Sequence, residues 1–228
     1  MNNRSVIKHA PLMLITPNKD ASEVERLVLS FLEGGGRWVQ LRLKDVSDAS
    51  IYGMAKRVQL LCQQYAATFI VNDHPAIALQ SGADGVHLGK WDMPVDQARI
   101  ILGPEKVIGG TANTLEDMVA LASKGVDYIG LGPFRFTTTK KNLSPVVGLE
   151  GYKALLQQFR SLGFQTPVTA IGGILLEDVA DLMASGVDGI AVSGGLSAKF
   201  ATQLFLEKLP KKSEDTLKSA GFQGMRTP

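Results

Sequence analysis

Short apolar runs recur along the chain, and each is followed by a longer stretch whose apolar residues return at helical spacing. The runs are "LMLIT" (12–16), "WVQLRLK" (38–44), "TFIV" (68–71), "GVHL" (85–88), "KVIGG" (106–110), "YIGLG" (128–132), "PVTAI" (167–171) and "GIAV" (189–192). The amphipathic segments fall at 21–33, 48–66, 74–81, 94–102, 114–123, 149–161, 176–184 and 197–208. Eight strand–helix units predict an α/β fold, a single (β/α)8 TIM barrel. An open doubly wound sheet is the alternative, but no dinucleotide glycine fingerprint follows the first strand.

A sequence repeat supports the same reading. "SGADGVHL" (81–88), "KGVDYIGL" (124–131) and "SGVDGIAV" (185–192) share a glycine, a small or branched residue, an aspartate and a short apolar run. Glycine accepts the left-handed conformation that ends a helix, so each copy reads as helix end, turn, strand. Repetition of that unit predicts parallel strands joined by helices.

Composition changes this picture little. The chain of 228 residues is ordinary in apolar and charged content, and its length suits one barrel domain over 1–209. Its net charge of +2 comes from a polar tail, 210–228, where Lys211, Lys212, Lys218 and Arg226 outnumber Glu214 and Asp215. The tail is expected to be mobile. A neutral body argues against a nucleic-acid partner, and no apolar run approaches the length of a membrane span. Cys62, the single cysteine, is expected as a buried free thiol, which suits a cytoplasmic location. The sequence leaves the oligomeric state open.

In a barrel of this kind, chemistry sits at the C-terminal ends of the strands. Along 38–44, Trp38, Gln40, Arg42 and Lys44 share one face while Val39, Leu41 and Leu43 share the other. The apolar set should meet the helices, leaving Gln40 and two cations facing inward near the rim. Either an ion-pair layer or a ligand must compensate those cations. Asn72 and Asp73 follow strand 3, and Asp92 lies just beyond strand 4. Each aspartate could cap a helix. Adjacent strands would also bring the two together, and one or two carboxylates completed by substrate phosphates is how Mg²⁺ is usually held.

Glycine pairs follow strand 7 (Gly172, Gly173) and strand 8 (Gly194, Gly195). They serve either as tight turns or as a phosphate cradle of backbone N–H groups. The long segment "GPFRFTTTKKNLSPVVG" follows strand 6 on the same rim. Thr137, Thr138, Thr139 and Lys140 make it a candidate anion-binding lid. His87 should face inward, behind the site or as a satisfied core histidine. With no cysteine–histidine cluster a zinc site is not expected. Neither a serine–histidine–acid arrangement nor a convincing acid–base pair emerges.

Together "VQLRLKD" (39–45), "VNDH" (71–74), "GVHLGKWD" (85–92), "YIGLGPFRFTTTK" (128–140), "AIGGI" (170–174) and "AVSGG" (191–195) resemble the thiamine phosphate synthase family, over about residues 12–208. The resemblance implies a barrel enzyme that joins hydroxymethylpyrimidine diphosphate to thiazole phosphate and releases pyrophosphate. It assigns the run Gln40, Leu41, Arg42, Leu43 and Lys44 to substrate binding. Gln40, Arg42, Lys44 and Asn72 would contact the pyrimidine diphosphate, with Thr111 near the pyrimidine and Lys140 on the diphosphate. Asp73 and Asp92 become Mg²⁺ ligands. Thr137, Thr139, Gly173, Ser193 and Gly194 would cradle the thiazole phosphate, and Thr138 is a further substrate-binding residue. Arg42, Lys44 and Lys140 carry the catalytic charge.

Three departures stand out from the family pattern, one of them the "VSGG" after strand 8, where a small-plus-branched pair usually follows the serine. Thr111 replaces a usual serine, and Arg135-Phe136-Thr137 replaces Phe-Pro-Thr. The related thiazole tautomerases share the barrel and use a histidine near the end of strand 5, where this chain has Asn113. A non-catalytic thiazole phosphate sensor on the same barrel is a further alternative, although it would not need both carboxylates.

Overall fold

The computed structural model describes residues 10–136, 145–196 and 198–210. Eight strands, β1 (Leu12–Ile15), β2 (Trp38–Leu41), β3 (Thr68–Asn72), β4 (Gly85–Leu88), β5 (Val107–Ala112), β6 (Tyr128–Leu131), β7 (Val168–Ile171) and β8 (Gly189–Val192), pair in chain order. Each is parallel to the next, and β8 returns to pair with β1, closing the barrel. The helices are α1 (Ala21–Glu33), α2 (Asp48–Gln64), α3 (Pro75–Ser81), α4 (Val95–Leu102), α5 (Leu115–Ser123), α6 (Gly148–Ser161), α7 (Val179–Ala184) and α8 (Lys199–Lys208). A 3-10 turn, Leu176–Asp178, leads into α7. The expected TIM barrel is the observed fold. Residues 137–144, which include most of the expected lid, and the tail beyond Pro210 lie outside the described residues.

Strand alternation divides the apolar residues into two cores. Val39, Leu41, Phe69, Val71 and Ile108 face outward and pack with Val28, Phe31, Met54 and Met118 of the helices. Met13, Ile15, Trp38, Ile70, Val107 and Tyr128 fill the barrel interior. Cys62 belongs to the outer core as a buried free thiol, 1% exposed. Local signals set the helix ends. Asp20, Ser47 and Thr114 accept bonds from N–H groups in the first turns of α1, α2 and α5. Gly82, with φ of 81°, closes α3 as expected.

The repeated aspartates have a common task at the N-terminal end of the barrel. Asp84, Asp127 and Asp188 each accept, at 2.8 Å, the backbone N–H of Phe69, Ile108 and Val168 respectively. Their own N–H groups return a bond to the carbonyls of the same three residues. Each aspartate thus staples its strand to the preceding one. Arg99 and Arg160 pair with Asp127 and Asp188 at 2.9 and 3.0 Å. The repeat is therefore a stability device at the end of the barrel away from the site.

Strand 2 ends sooner than the sequence predicts. Regular pairing stops at Leu41, beyond which side chains take over the ladder's role. The N–H of Arg42 donates to Thr16 Oγ1 at 2.9 Å, and that of Lys44 to Asn18 Oδ1 at 3.0 Å. Asp45 then turns the chain away with φ of 60°.

Candidate active site

A cavity of about 350 Å³ opens at the C-terminal ends of the strands. This is the size and position expected of a small-molecule site in such a barrel. Gln40, Arg42, Lys44, Asn72, Asp73 and Asp92 line one part of it. Gly172, Gly173, Ile174, Ser193 and Gly194 line another, and His87, Thr111 and Asn113 complete it from β4, β5 and the residue after β5.

The carboxylate pair forms because β3 and β4 are neighbours, with Asn72 in register with His87. Neither aspartate is spent on a helix cap. The cap position of α3 belongs to His74 and that of α4 to Pro94. Asp73 instead adopts φ of 67°, a left-handed conformation that aspartate tolerates better than most residues. Its N–H donates to the His87 carbonyl at 2.8 Å, which turns the side chain over the rim. Asp92 folds back to accept the Gly89 N–H at 2.7 Å. A Cβ at Gly89 would meet its Oδ2 at 2.6 Å, so a larger residue there would displace the carboxylate from this bond.

Asp73 makes a hydrogen-bonding contact with Asp92 and an ion pair with Lys44. Burial, reinforced by Asp92, pushes the Asp73 carboxyl up to about 6 despite Lys44. Burial also opposes ionisation of Asp92. There, hydrogen bonds from Asp73 and the Gly89 N–H, with the Lys44 charge, outweigh it and hold the group below the ordinary carboxylate range.

A divalent cation would relieve this crowding. The donor set of two carboxylates beside an open cavity fits a hard, oxygen-seeking ion. Among the described residues no group of three or more His, Cys, Asp or Glu could cage a metal, so remaining ligands would come from substrate or water.

Deeper in the barrel, polar groups are arranged in a chain. Gln40 Nε2 donates to Asn72 Oδ1 at 2.8 Å, and both residues are buried. His87 lies between Tyr128 and Thr111, with Nδ1 3.0 Å from the Tyr128 hydroxyl and Nε2 2.9 Å from Thr111 Oγ1. Burial raises the Tyr128 pKa far above its ordinary value, so the phenol keeps its proton and can donate it to Nδ1. In that tautomer Nε2 carries the ring hydrogen and donates to Thr111. The Thr111 hydroxyl hydrogen is then free to point into the cavity.

The model of the thiamine monophosphate synthase family, TMP-TENI, matches residues 12–196. The chain belongs to this family. A thiamine-phosphate synthase of Phocaeicola vulgatus is 50% identical over 82% of this chain and 90% of its own. One of Flavobacterium johnsoniae is 44% identical over 88% and 95% of the two chains. The solved thiamine phosphate pyrophosphorylase of Pyrococcus furiosus superposes with a TM-score of 0.77 at 31% identity, covering 89% of this chain and 96% of that one.

Of the residues singled out by the family resemblance, Gln40, Arg42, Lys44, Asn72, Asp73, Asp92, Thr111, Gly173, Ser193 and Gly194 converge on the cavity. Leu41 and Leu43 do not line it. Leu41 is buried in the outer core and Leu43 packs against it, as alternation along 38–44 requires. Thr137, Thr138, Thr139 and Lys140 fall outside the described residues.

The sequence reading missed Tyr128 as part of the site. A usable signal was the glycine inside two neighbouring strands. A Cβ on Gly109 would overlap the Tyr128 ring, and one on Gly130 would come within 3.0 Å of His87 Cε1. Those glycines make room for the buried pair.

Proposed function

We propose that the chain joins hydroxymethylpyrimidine diphosphate to thiazole phosphate, giving thiamine phosphate and pyrophosphate, with Mg²⁺ at Asp73 and Asp92. The observation that carries this reading is one cavity with two kinds of wall. One holds paired carboxylates and two cations, the other two glycine turns. The first suits a diphosphate with its metal and the second a monophosphate. Relatives about half identical over most of the chain bear the same enzyme name.

Arg42 and Lys44 act as fixed cations for the departing pyrophosphate, an electrostatic role that needs no proton transfer. Mg²⁺, when bound, neutralises further charge on the diphosphate oxygens. Gln40 and Asn72, whose mutual bond leaves Gln40 Oε1 and the Asn72 amide hydrogens over, present polar edges to the pyrimidine ring. Thr111 donates to the same ring.

The Gly173 turn and the Ser193–Gly194 segment hold the thiazole phosphate, so the thiazole nitrogen faces the pyrimidine methylene. Its lone pair forms the new C–N bond, and the electrons of the breaking C–O bond leave with pyrophosphate. That nitrogen carries no proton, so the step requires no general base. Thr137 and Thr139 join the thiazole phosphate side by family resemblance, Lys140 the diphosphate side, and Thr138 is a further substrate contact. A cytoplasmic location fits a lone buried thiol. Among the described residues no helix is long and apolar enough to cross a membrane. A tautomerase would need a titrating group where Asn113 stands, and asparagine does not titrate.

Asp92→Ala tests the reading. It should abolish magnesium-dependent turnover while circular dichroism and the melting temperature remain those of the parent. Near-parental turnover would remove Asp92, and the metal site with it, from the mechanism.

A further inference from the structure

We propose that Arg135 is a positioning residue that aims two backbone N–H groups of the β7 turn at the thiazole phosphate. The inference rests on the functional reading above for the identity of the ligand, and on the following geometry for the rest.

Arg135 takes both carbonyls of the glycine turn. Its backbone N–H donates to the Gly172 carbonyl at 2.9 Å, and its guanidinium Nη1 to the Gly173 carbonyl at 2.7 Å. In a trans peptide the C=O and the following N–H point in opposite directions. Holding these two oxygens toward Arg135 therefore turns the N–H groups of Gly173 and Ile174 to the other side. Both residues line the cavity, and among the described residues neither N–H meets an acceptor. Successive free N–H groups in a turn form an anion-binding concavity.

The arginine is itself fixed. Its guanidinium makes a fork with Asp178, with Nη1 to Oδ2 at 2.9 Å and Nη2 to Oδ1 at 2.8 Å. Asp178 Oδ2 also accepts the Leu175 N–H at 2.8 Å, which ties the end of the same turn. The guanidinium stacks 5.2 Å from the centre of the Phe134 ring. Gly172 and Gly173 have φ of 95° and 72°, and a Cβ on Gly172 would come within 2.7 Å of Pro133 Cβ. The strap and the turn are thus built to fit each other. A planar, bidentate guanidinium can hold the carboxylate and one carbonyl at once, whereas a lysine ammonium can replace only part of this pattern.

The test compares the parent with Arg135→Ala, Arg135→Lys and Asp178→Asn in steady-state kinetics, titrating each substrate separately. Thiazole phosphate binding is measured alongside by calorimetry, which does not depend on turnover. Inorganic phosphate serves as a competing probe of the anion site. Arg135→Ala should raise the thiazole phosphate KM and Kd about tenfold and weaken phosphate competition similarly. Its kcat and pyrimidine diphosphate KM should remain within about twofold of the parent. Arg135→Lys should recover part of the loss, and Asp178→Asn should fall between.

An Arg135→Ala Kd within about twofold of the parent overturns the proposal. So does a comparable rise of both KM values together with a fall in kcat and a lowered melting temperature, which marks a merely structural arginine. Should Arg135→Ala fail to fold, Arg135→Lys carries the same readout through the Kd alone, and a parental Kd there counts against the clamp. A parent that binds thiazole phosphate but makes no product refutes the functional reading and leaves the clamp to be judged by the Kd values.

Discussion

Lys44, on the loop after β2, forms an ion pair with Asp73 at the end of β3, and the same carboxylate faces Asp92. One cation therefore already stands where a diphosphate and its metal would bring more charge. Lys44→Met keeps the length of the side chain and removes the charge. We expect kcat to fall about 100-fold, in the range seen when one electrostatic donor is removed from an active site. The thiazole phosphate KM should stay within about twofold. A kcat within about threefold of the parent would exclude Lys44 from transition-state stabilisation.

The carboxylate pair makes metal-free stability depend on pH. Asp73 has its folded-state pKa raised from 3.8 to about 6, so between those values the folded state binds more protons than the unfolded. The stability it contributes is present below pH 3.8 and lost as pH rises through about 6. Asp73→Asn removes this cost and keeps a residue that tolerates the left-handed backbone. In chelator at pH 8 the variant should be more stable than the parent by roughly 1 kcal/mol, with the difference shrinking toward pH 4. Urea titrations at both pH values measure it. A variant less stable at pH 8 would mean that the Lys44 bond outweighs the desolvation and the repulsion.

Tyr128→Phe tests the orientation of Thr111. Without the phenol proton, His87 is free to carry its hydrogen on Nδ1, and Nε2 would then accept from Thr111 and withdraw the hydroxyl hydrogen from the cavity. Loss of one such hydrogen bond, at ~1 kcal/mol, should lower kcat/KM for the pyrimidine diphosphate about fivefold. Unchanged kcat/KM would show that the threonine finds its orientation by another route.

At the opposite end of the barrel the expected effect is on stability. Asp127 accepts bonds from Ile108 N–H and Arg99, and its side chain is 6% exposed. Asp127→Ala strands the Ile108 N–H and removes the carboxylate partner of Arg99, which keeps its bonds to the Gly103 and Lys106 carbonyls, and should cost about 2 to 4 kcal/mol in chemical denaturation. Turnover per folded molecule should remain parental. Reduced turnover without a stability loss would contradict the division of the barrel into a stability end and a catalytic end.

Cys62 should be inert. Burial pushes its thiol up to about 12, with Asp84 adding to the effect, and the side chain is 1% exposed. Iodoacetamide should modify it only after unfolding, on the denaturation timescale. Rapid stoichiometric labelling of the native protein would place the thiol outside the core.

The barrel was legible because strand–helix alternation is a local pattern that each unit repeats. The meeting of Asp73 and Asp92 followed from the same order, since neighbouring strands end side by side. Interactions between loops left no such trace. Arg135 and Asp178 lie 43 positions apart on separate rim segments, and nothing in the spacing of either announces a fork. The role of Asp84, Asp127 and Asp188 was equally hidden, although the repeat itself was plain. Its purpose appears only when each carboxylate is seen on the preceding strand. The early end of β2 was missed because Arg42 and Lys44 continue the strand's alternation while Thr16 and Asn18 supply the bonds. The side chains of Leu41 and Leu43 pack toward the helices, as alternation along 38–44 directs.

The central claim is tested most directly by product formation from hydroxymethylpyrimidine diphosphate and thiazole phosphate, with magnesium or with chelator. The account predicts thiamine phosphate and pyrophosphate in equal amounts, formed with magnesium and abolished by chelation. No product at saturating magnesium from a folded protein that binds both substrates would contradict it.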